Sequence, residues 1–129
     1  TGQSIPQTNG EILRCVLESL ALKYRYAIEQ LESILGYNLP IIRVVGGGCK
    51  DEILMSFTAK ATQRQVIAGP VEATAIGNTC AQLIAIGEIN NLWEARALIS
   101  DSFEPSVYGY ENRDGWDEAY ARFQKLLNK

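Results

Sequence analysis

The stretch IIRVVGGGCKDEILMSF, Ile41 to Phe57, places three consecutive glycines, Gly46 to Gly48, between a β-branched run and a segment with helical spacing. Glycine tolerates backbone angles that other residues avoid, but three together add conformational entropy that folding must overcome, so something has to require the turn. Upstream, Pro40 bounds Ile41 to Val45, a run too short for a helix and rich in β-branched residues, which predicts a buried strand. Downstream, Ile53, Leu54, Phe57 and Thr58 recur at helical spacing, and QVIAG, Gln65 to Gly69, reads as a second short strand. Strand, helix and strand within about thirty residues make a βαβ unit, whose two strands are expected to be parallel.

Working outward, Thr8 followed by Glu11 matches the capping-box pattern and predicts the start of a long helix. Leu13, Leu17, Leu20, Tyr24, Ile28, Leu31 and Leu35 follow at spacings of three and four, and Gly36 stands where a left-handed cap is expected. That apolar stripe is expected to pack on a sheet or on neighbouring helices. The opposite face, with Arg14, Glu18, Lys23, Arg25, Glu29 and Glu32, is expected to meet water. After the second strand, Pro70 suits a helix's first turn and Glu72 its favourable dipole end, predicting a helix from about Val71 to Ile86. Its small residues would let it lie close to the sheet. Asn90 or Asn91 caps a fourth helix through Trp93 and Ile99, and WDEAYARFQKLLN closes the chain as a fifth, amphipathic one. Two strands are thin for a parallel sheet covered on both faces. Either a further strand lies in the first ten residues or in 104–112, or the chain is part of something larger, and the second reading is preferred.

Composition narrows the function classes. The 129 residues fit one domain, 47% hydrophobic, with no internal linker or repeat. Fifteen acidic against twelve basic residues, net −3, with no basic cluster, argue against nucleic acid as a partner. No apolar run reaches the roughly 18 residues that span a bilayer, and TGQSIPQTNG lacks a signal-peptide pattern, so no membrane partner and a cytoplasmic setting are expected. Cys15, Cys49 and Cys80 are too scattered for a disulfide framework or a zinc site and read as structural thiols. The chain contains no histidine, which excludes a Ser/His or Cys/His nucleophile pair. Trp93, Trp116 and Tyr120 are expected in helix seams, Tyr108 and Tyr110 nearer the surface, and Asp117 and Glu118 at a solvated helix start.

A glycine turn between a parallel strand and a helix leaves backbone N–H groups converging beside the positive end of the helix dipole, which suits an anion. The competing reading is that Gly46, Gly47 and Gly48 serve only a sharp, closely packed turn. The loop lacks both the P-loop lysine and the G-x-G-x-x-G spacing of a dinucleotide site. Asp51 and Glu52 at the helix start cap free amides and would compete with a phosphate.

The segments NGEILRCVLESLALKYRYAIEQLE, IIRVVGGGCKDEILMSFTAKATQRQVIAGPVEATAIGN and AQLIAIGEINNLWEARALISDSFEPSVYGY resemble the C-terminal part of the FGGY carbohydrate kinases over nearly the whole chain. The resemblance is strongest to the branch that phosphorylates the 1-hydroxyl of L-rhamnulose, and AGPVEATAIGN, Ala68 to Asn78, is its most specific piece. It implies an α/β fold: a partial actin-like, ribonuclease-H-like lobe with a short parallel sheet and about five helices, residues 1–129 forming one domain of a two-lobe kinase. It also implies ATP and magnesium as cofactors, a sugar substrate, and an absent N-terminal lobe that supplies the catalytic base and most of the sugar pocket. Gly47, flanked by Gly46 and Gly48, matches the family position whose backbone meets the nucleotide. Asp51 stands where the family usually has a nucleotide-contacting asparagine; it keeps the size, loses two donors and adds charge, which Lys50 would partly offset. Two functions follow. One is the nucleotide-binding part of a sugar kinase, inactive in isolation. The other is a non-catalytic interaction module with a structural glycine turn, its exposed sheet edge favouring self-association.

Overall fold

In the computed structural model, which describes residues 3–111 and 115–127, Thr8 and Glu11 close the expected capping box at the head of α1 (Asn9–Leu35). Gly36 ends that helix in the left-handed conformation at φ 75°, its amide donating to the Glu32 carbonyl. The chain then forms β1 (Ile41–Val44), a single 3-10 turn (Gly47–Lys50), α2 (Glu52–Thr62) and β2 (Gln65–Ala68). The βαβ expectation holds: β1 and β2 are parallel, in register from Ile41 opposite Gln65 to Val44 opposite Ala68. After α3 (Ala73–Ala85) and α4 (Leu92–Ser102) comes β3 (Ser106–Tyr108), antiparallel to β2, and the chain ends in α5 (Trp116–Leu127). A third strand thus does lie within 104–112, and it makes the sheet mixed, in the order β1-β2-β3.

Strand alternation decides which face of the sheet is covered. Ile42, Val44, Val66, Ala68 and Tyr108 pack on Leu54, Met55 and Ala59 of α2 with Cys49 beneath the turn. The opposite face, with Ile41 and Val107, is exposed, and β1 has no neighbour on its outer edge among the described residues. The buried hydroxyls of α2 are satisfied along the helix, Thr58 donating to the Leu54 carbonyl and Thr62 to that of Thr58.

The long helix departs from its expected orientation. Its packed face carries Ala21 and Leu22, which meet Ala61 of α2 and Tyr120 of α5, while Leu13, Leu20, Tyr24, Leu31 and Leu35 stay exposed. Leu13 is 63% exposed and Ile34 81%. Of the residues expected in water, Arg14 and Lys23 are exposed, but others are bound. The Arg25 side chain, 16% exposed, donates to Glu29 at 2.9 Å, to Asp117 at 2.7 Å and to the Ala61 carbonyl at 3.1 Å. Glu32, 12% exposed, pairs with Arg64 at 2.6 Å. The reason is geometric: α2 and α5 offer carbonyls, carboxylates and aromatic rings to this side of α1, whereas the apolar side is covered only in part, with Leu17 packed against the core of α2 and the sheet as expected.

Other expectations need correction. Pro70 precedes α3, which starts at Ala73; Gly69 at φ 119° turns the chain first, and Glu72 occupies the N-cap without a side-chain capping bond. Instead of lying on the sheet, α3 packs on α4 through Cys80, Ile89 and Ala95. Trp93 is 74% exposed and carries Arg96 against its ring at 5.0 Å. Trp116 does fill a seam, edge-on to Phe57 at 5.4 Å, and Tyr120 is buried. Cys15 is an exposed thiol, whereas Cys49 and Cys80 are buried. Asp117 is engaged as well as exposed, accepting from both Arg25 and Gln63.

Candidate functional site at the glycine turn

The turn is built where the two parallel strands end. The amide of Gly69, just past β2, donates to the Val44 carbonyl at 2.8 Å, and the amide of Gly46 donates back to the Pro70 carbonyl at 3.1 Å. These bonds dock the turn to the exit of β2. Gly46 sits at φ 84°, a region costly for residues with a Cβ, so the backbone requires glycine there. The 3-10 turn is closed by Cys49 donating to the Gly46 carbonyl at 3.1 Å and Asp51 to that of Gly48 at 3.3 Å. Cys49, buried under the turn, anchors it to the core.

Gly47 and Gly48 differ from Gly46. Both are exposed, neither has a positive φ, and a Cβ added at either would meet nothing within 4 Å. Their amides have no acceptor among the described residues. So neither backbone strain nor packing explains these two glycines, while two donors face open space beside the start of α2.

Asp51 caps α2, its Oδ1 accepting from the Leu54 amide at 2.9 Å. This side chain is an acceptor held by its own helix, with no donor to offer a ligand. Lys50 is exposed and makes no ion pair with Asp51, so any offset of the negative charge acts across solvent. A cleft of about 570 Å³ beside the turn is lined by Cys49, Lys50, Gly69, Pro70 and Tyr108 but not by Gly46, Gly47 or Gly48. Glu72 also borders it. The expected residues Gly46, Gly47, Gly48 and Asp51 therefore form one local unit. The part played by Gly69 and Pro70 was missing from the sequence reading, and the adjacent Gly-Pro pair at the strand's end was the available signal.

Among the described residues, no group of three or more His, Cys, Asp or Glu side chains could hold a metal ion, and no helix is long and apolar enough to cross a membrane.

Comparison with known proteins places this geometry in a family. Residues 1–86 match the model of the FGGY family of carbohydrate kinases, C-terminal domain. The chain is 46% identical over 114 residues to a rhamnulokinase of Halalkalibacterium halodurans, covering 88% of this chain and 24% of that one. It is 41% identical over 127 residues to a rhamnulokinase of Bacteroides thetaiotaomicron, covering 98% and 26%. It thus spans about a quarter of the length of these relatives. Among solved structures, a Plasmodium falciparum glycerol kinase with ADP superposes over 99% of the chain and 26% of its own length with a TM-score of 0.77 at 18% identity. A xylulose kinase from Rhodospirillum rubrum superposes over 99% and 26% with a TM-score of 0.70 at 24% identity. The chain belongs to the FGGY family of carbohydrate kinases, as a C-terminal part of one.

Proposed function

We propose that this chain is the nucleotide-facing C-terminal part of an ATP-dependent rhamnulokinase. The whole enzyme would transfer the γ-phosphoryl group of ATP, with magnesium, to L-rhamnulose, giving L-rhamnulose 1-phosphate and ADP. The observation that carries the reading is the pair Gly47 and Gly48, whose amides have no acceptor among the described residues and whose lack of a side chain suits close approach of a phosphate or ribose. The identity to two rhamnulokinases supports the sugar, and ATP as donor together with unpaired cysteines fits a cytoplasmic setting. Phosphoryl transfer relies on positioning and charge stabilisation from both sides of a cleft. One wall alone is therefore inactive, and its partner is a segment equivalent to the remaining three quarters of the relatives' length, docked on the apolar side of α1 and the open edge of β1. Left without that partner, the same surfaces would drive self-association.

The test is a titration of the chain with ADP and magnesium, followed by amide chemical shifts. Gly47, Gly48 and Asp51 should move in a saturable way, and Gly47→Val should abolish the response while leaving the thermal midpoint unchanged. A response confined to other surfaces, or one indifferent to Gly47→Val, would overturn the assignment. Mixing the chain with the Halalkalibacterium halodurans rhamnulokinase cut where the match begins should restore ATP-dependent rhamnulose phosphorylation. Activity from this chain alone would refute the division of labour.

A further inference from the structure

A second cleft, of about 690 Å³, shares Gly69 and Pro70 with the first but has different walls: Arg43 and Val45 from β1 and its exit, and Arg96, Ile99 and Ser100 from α4. Phe103 and Glu104 also border both clefts. The second lies where the two parallel strands end, the position at which open α/β sheets hold ligands. Its volume falls within the range of small-molecule pockets.

Arg43 is the part of the opening motif that the glycine turn does not explain. It interrupts the aliphatic run Ile41-Ile42-Arg43-Val44-Val45, and its neighbours Ile42 and Val44 point into the core, so its side chain leaves on the other face of the sheet. On that half-covered sheet Arg43 is exposed, with its charge available at the strand's end. Arg14, Arg25 and Arg64 each hold a carboxylate within 2.9 Å. Arg43 and Arg96 have no carboxylate partner among the described residues, although both line the same cleft. Arg96 is steadied by the Trp93 ring. Glu104 and Ser100 add an acceptor and a hydroxyl, and Ile99 and Phe103 an apolar wall.

We infer that this cleft binds a small phosphate ester bearing hydroxyl groups. The guanidinium forks of Arg43 and Arg96 take the phosphate, for which their planar donor geometry is suited. The ligand's hydroxyls donate to Glu104 and meet Ser100, which disposes of the one negative charge in the lining, and its carbon skeleton lies on Ile99 and Phe103. The inference does not depend on the nucleotide reading of the glycine turn, since its phosphate contacts, Arg43 and Arg96, border only the second cleft.

Glycerol 3-phosphate, inorganic phosphate and glycerol, each titrated into the full chain at physiological salt, distinguish the contributions. Glycerol 3-phosphate should shift the amides of Ile99 and Ser100 and the Arg96 Nε–H saturably, inorganic phosphate should bind the same site about tenfold more weakly, and glycerol should do nothing. Arg96→Met and Arg43→Met should each weaken glycerol 3-phosphate by about tenfold or more, while Arg122→Met, an equal loss of charge elsewhere, should not. Circular dichroism checks both cleft variants, and Arg96→Met, on an exposed helix face, carries the test if Arg43→Met unfolds. Equal affinity for phosphate and its ester would remove the hydroxyl contacts and with them the ester. An Arg122→Met effect as large as the others would reduce the site to general surface charge. ADP shifting Ser100 while leaving Gly47 and Gly48 still would give the cleft to the nucleotide. Each of these three results overturns the inference.

Discussion

The two sides of α1 bury the opposite of what their composition leads one to expect. The side bearing Ala21, Leu22, Arg25, Glu29 and Glu32 is packed against α2 and α5, with Arg25 under the Tyr120 ring at 4.2 Å and the Tyr120 hydroxyl donating to Glu29 at 2.5 Å. Burial, and then the bond to Glu29, push the Tyr120 hydroxyl up to about 12, so this donor keeps its proton throughout the neutral range. The side bearing Leu13, Val16, Leu20, Leu31 and Ile34 is apolar over some 33 Å of helix and open. A contiguous apolar face of that size is characteristic of a surface meant for another polypeptide. Polar side chains can be buried wherever every donor finds an acceptor, whereas an apolar stripe is covered only if a matching surface exists, and the described residues supply one for Leu17 but not for Leu13, Leu31 or Ile34.

Mutations on the two sides should separate this contrast quantitatively. The largest effect is expected from Leu22→Ala, which empties a buried position at the junction of α1, α2 and α5 and should destabilise by about 3 kcal/mol in urea unfolding. A loss no greater than that of an open-side leucine would mean the packed side is not the anchoring one. Next comes Arg25→Met, which leaves Glu29, Asp117 and the Ala61 carbonyl without their shared donor and should cost about 2 kcal/mol. If that variant were as stable as the parent, the ion network would be ornament to an apolar seam.

A smaller effect lies in acid. The Leu39 amide first, and then Arg64, hold the Glu32 carboxyl below its ordinary value of 4.5. A depressed folded value gives stability that is present above the unfolded value and lost as pH falls through the folded one. The parent chain should therefore lose stability below about pH 4.5, and Glu32→Gln should lose less of it over that window; parallel acid limbs would remove Glu32 from the account. The smallest change is expected on the open side, where Leu31→Ser should alter the stability of the isolated chain by less than about 0.5 kcal/mol. The same substitution should abolish complementation with the truncated Halalkalibacterium halodurans enzyme. An unchanged complex would show that the partner docks elsewhere.

What the sequence made legible was local. The capping box at Thr8 and Glu11, the Gly36 terminator, the parallel strands and the glycine turn depend on neighbours within a few residues, and all appear as expected. Periodicity also identified the stripe on α1 correctly but could not say whether its cover belonged to the same chain. The role of Arg25 depends on Asp117, 92 positions away, and the short β3 has no alternation long enough to announce itself. Trp93 was expected in a seam because large aromatic rings usually are; here a guanidinium shields its face in place of a core. In the site, Gly46 was readable from backbone chemistry. The distinction between it and Gly47 or Gly48 needed dihedral angles and the space around each Cβ.

One small clasp ties distant parts of the βαβ unit together. Glu32 accepts the Leu39 amide at 2.6 Å and binds Arg64, which in turn donates to the Leu39 carbonyl at 2.9 Å. The connection between α1 and β1 is thus held at both the amide and the carbonyl of Leu39, the one by Glu32 of α1 and the other by Arg64 at the corner between α2 and β2. The entry to the first strand is therefore fixed in part by where the second helix places Arg64. A chain nicked between residues 36 and 39 would still find its two halves fastened together.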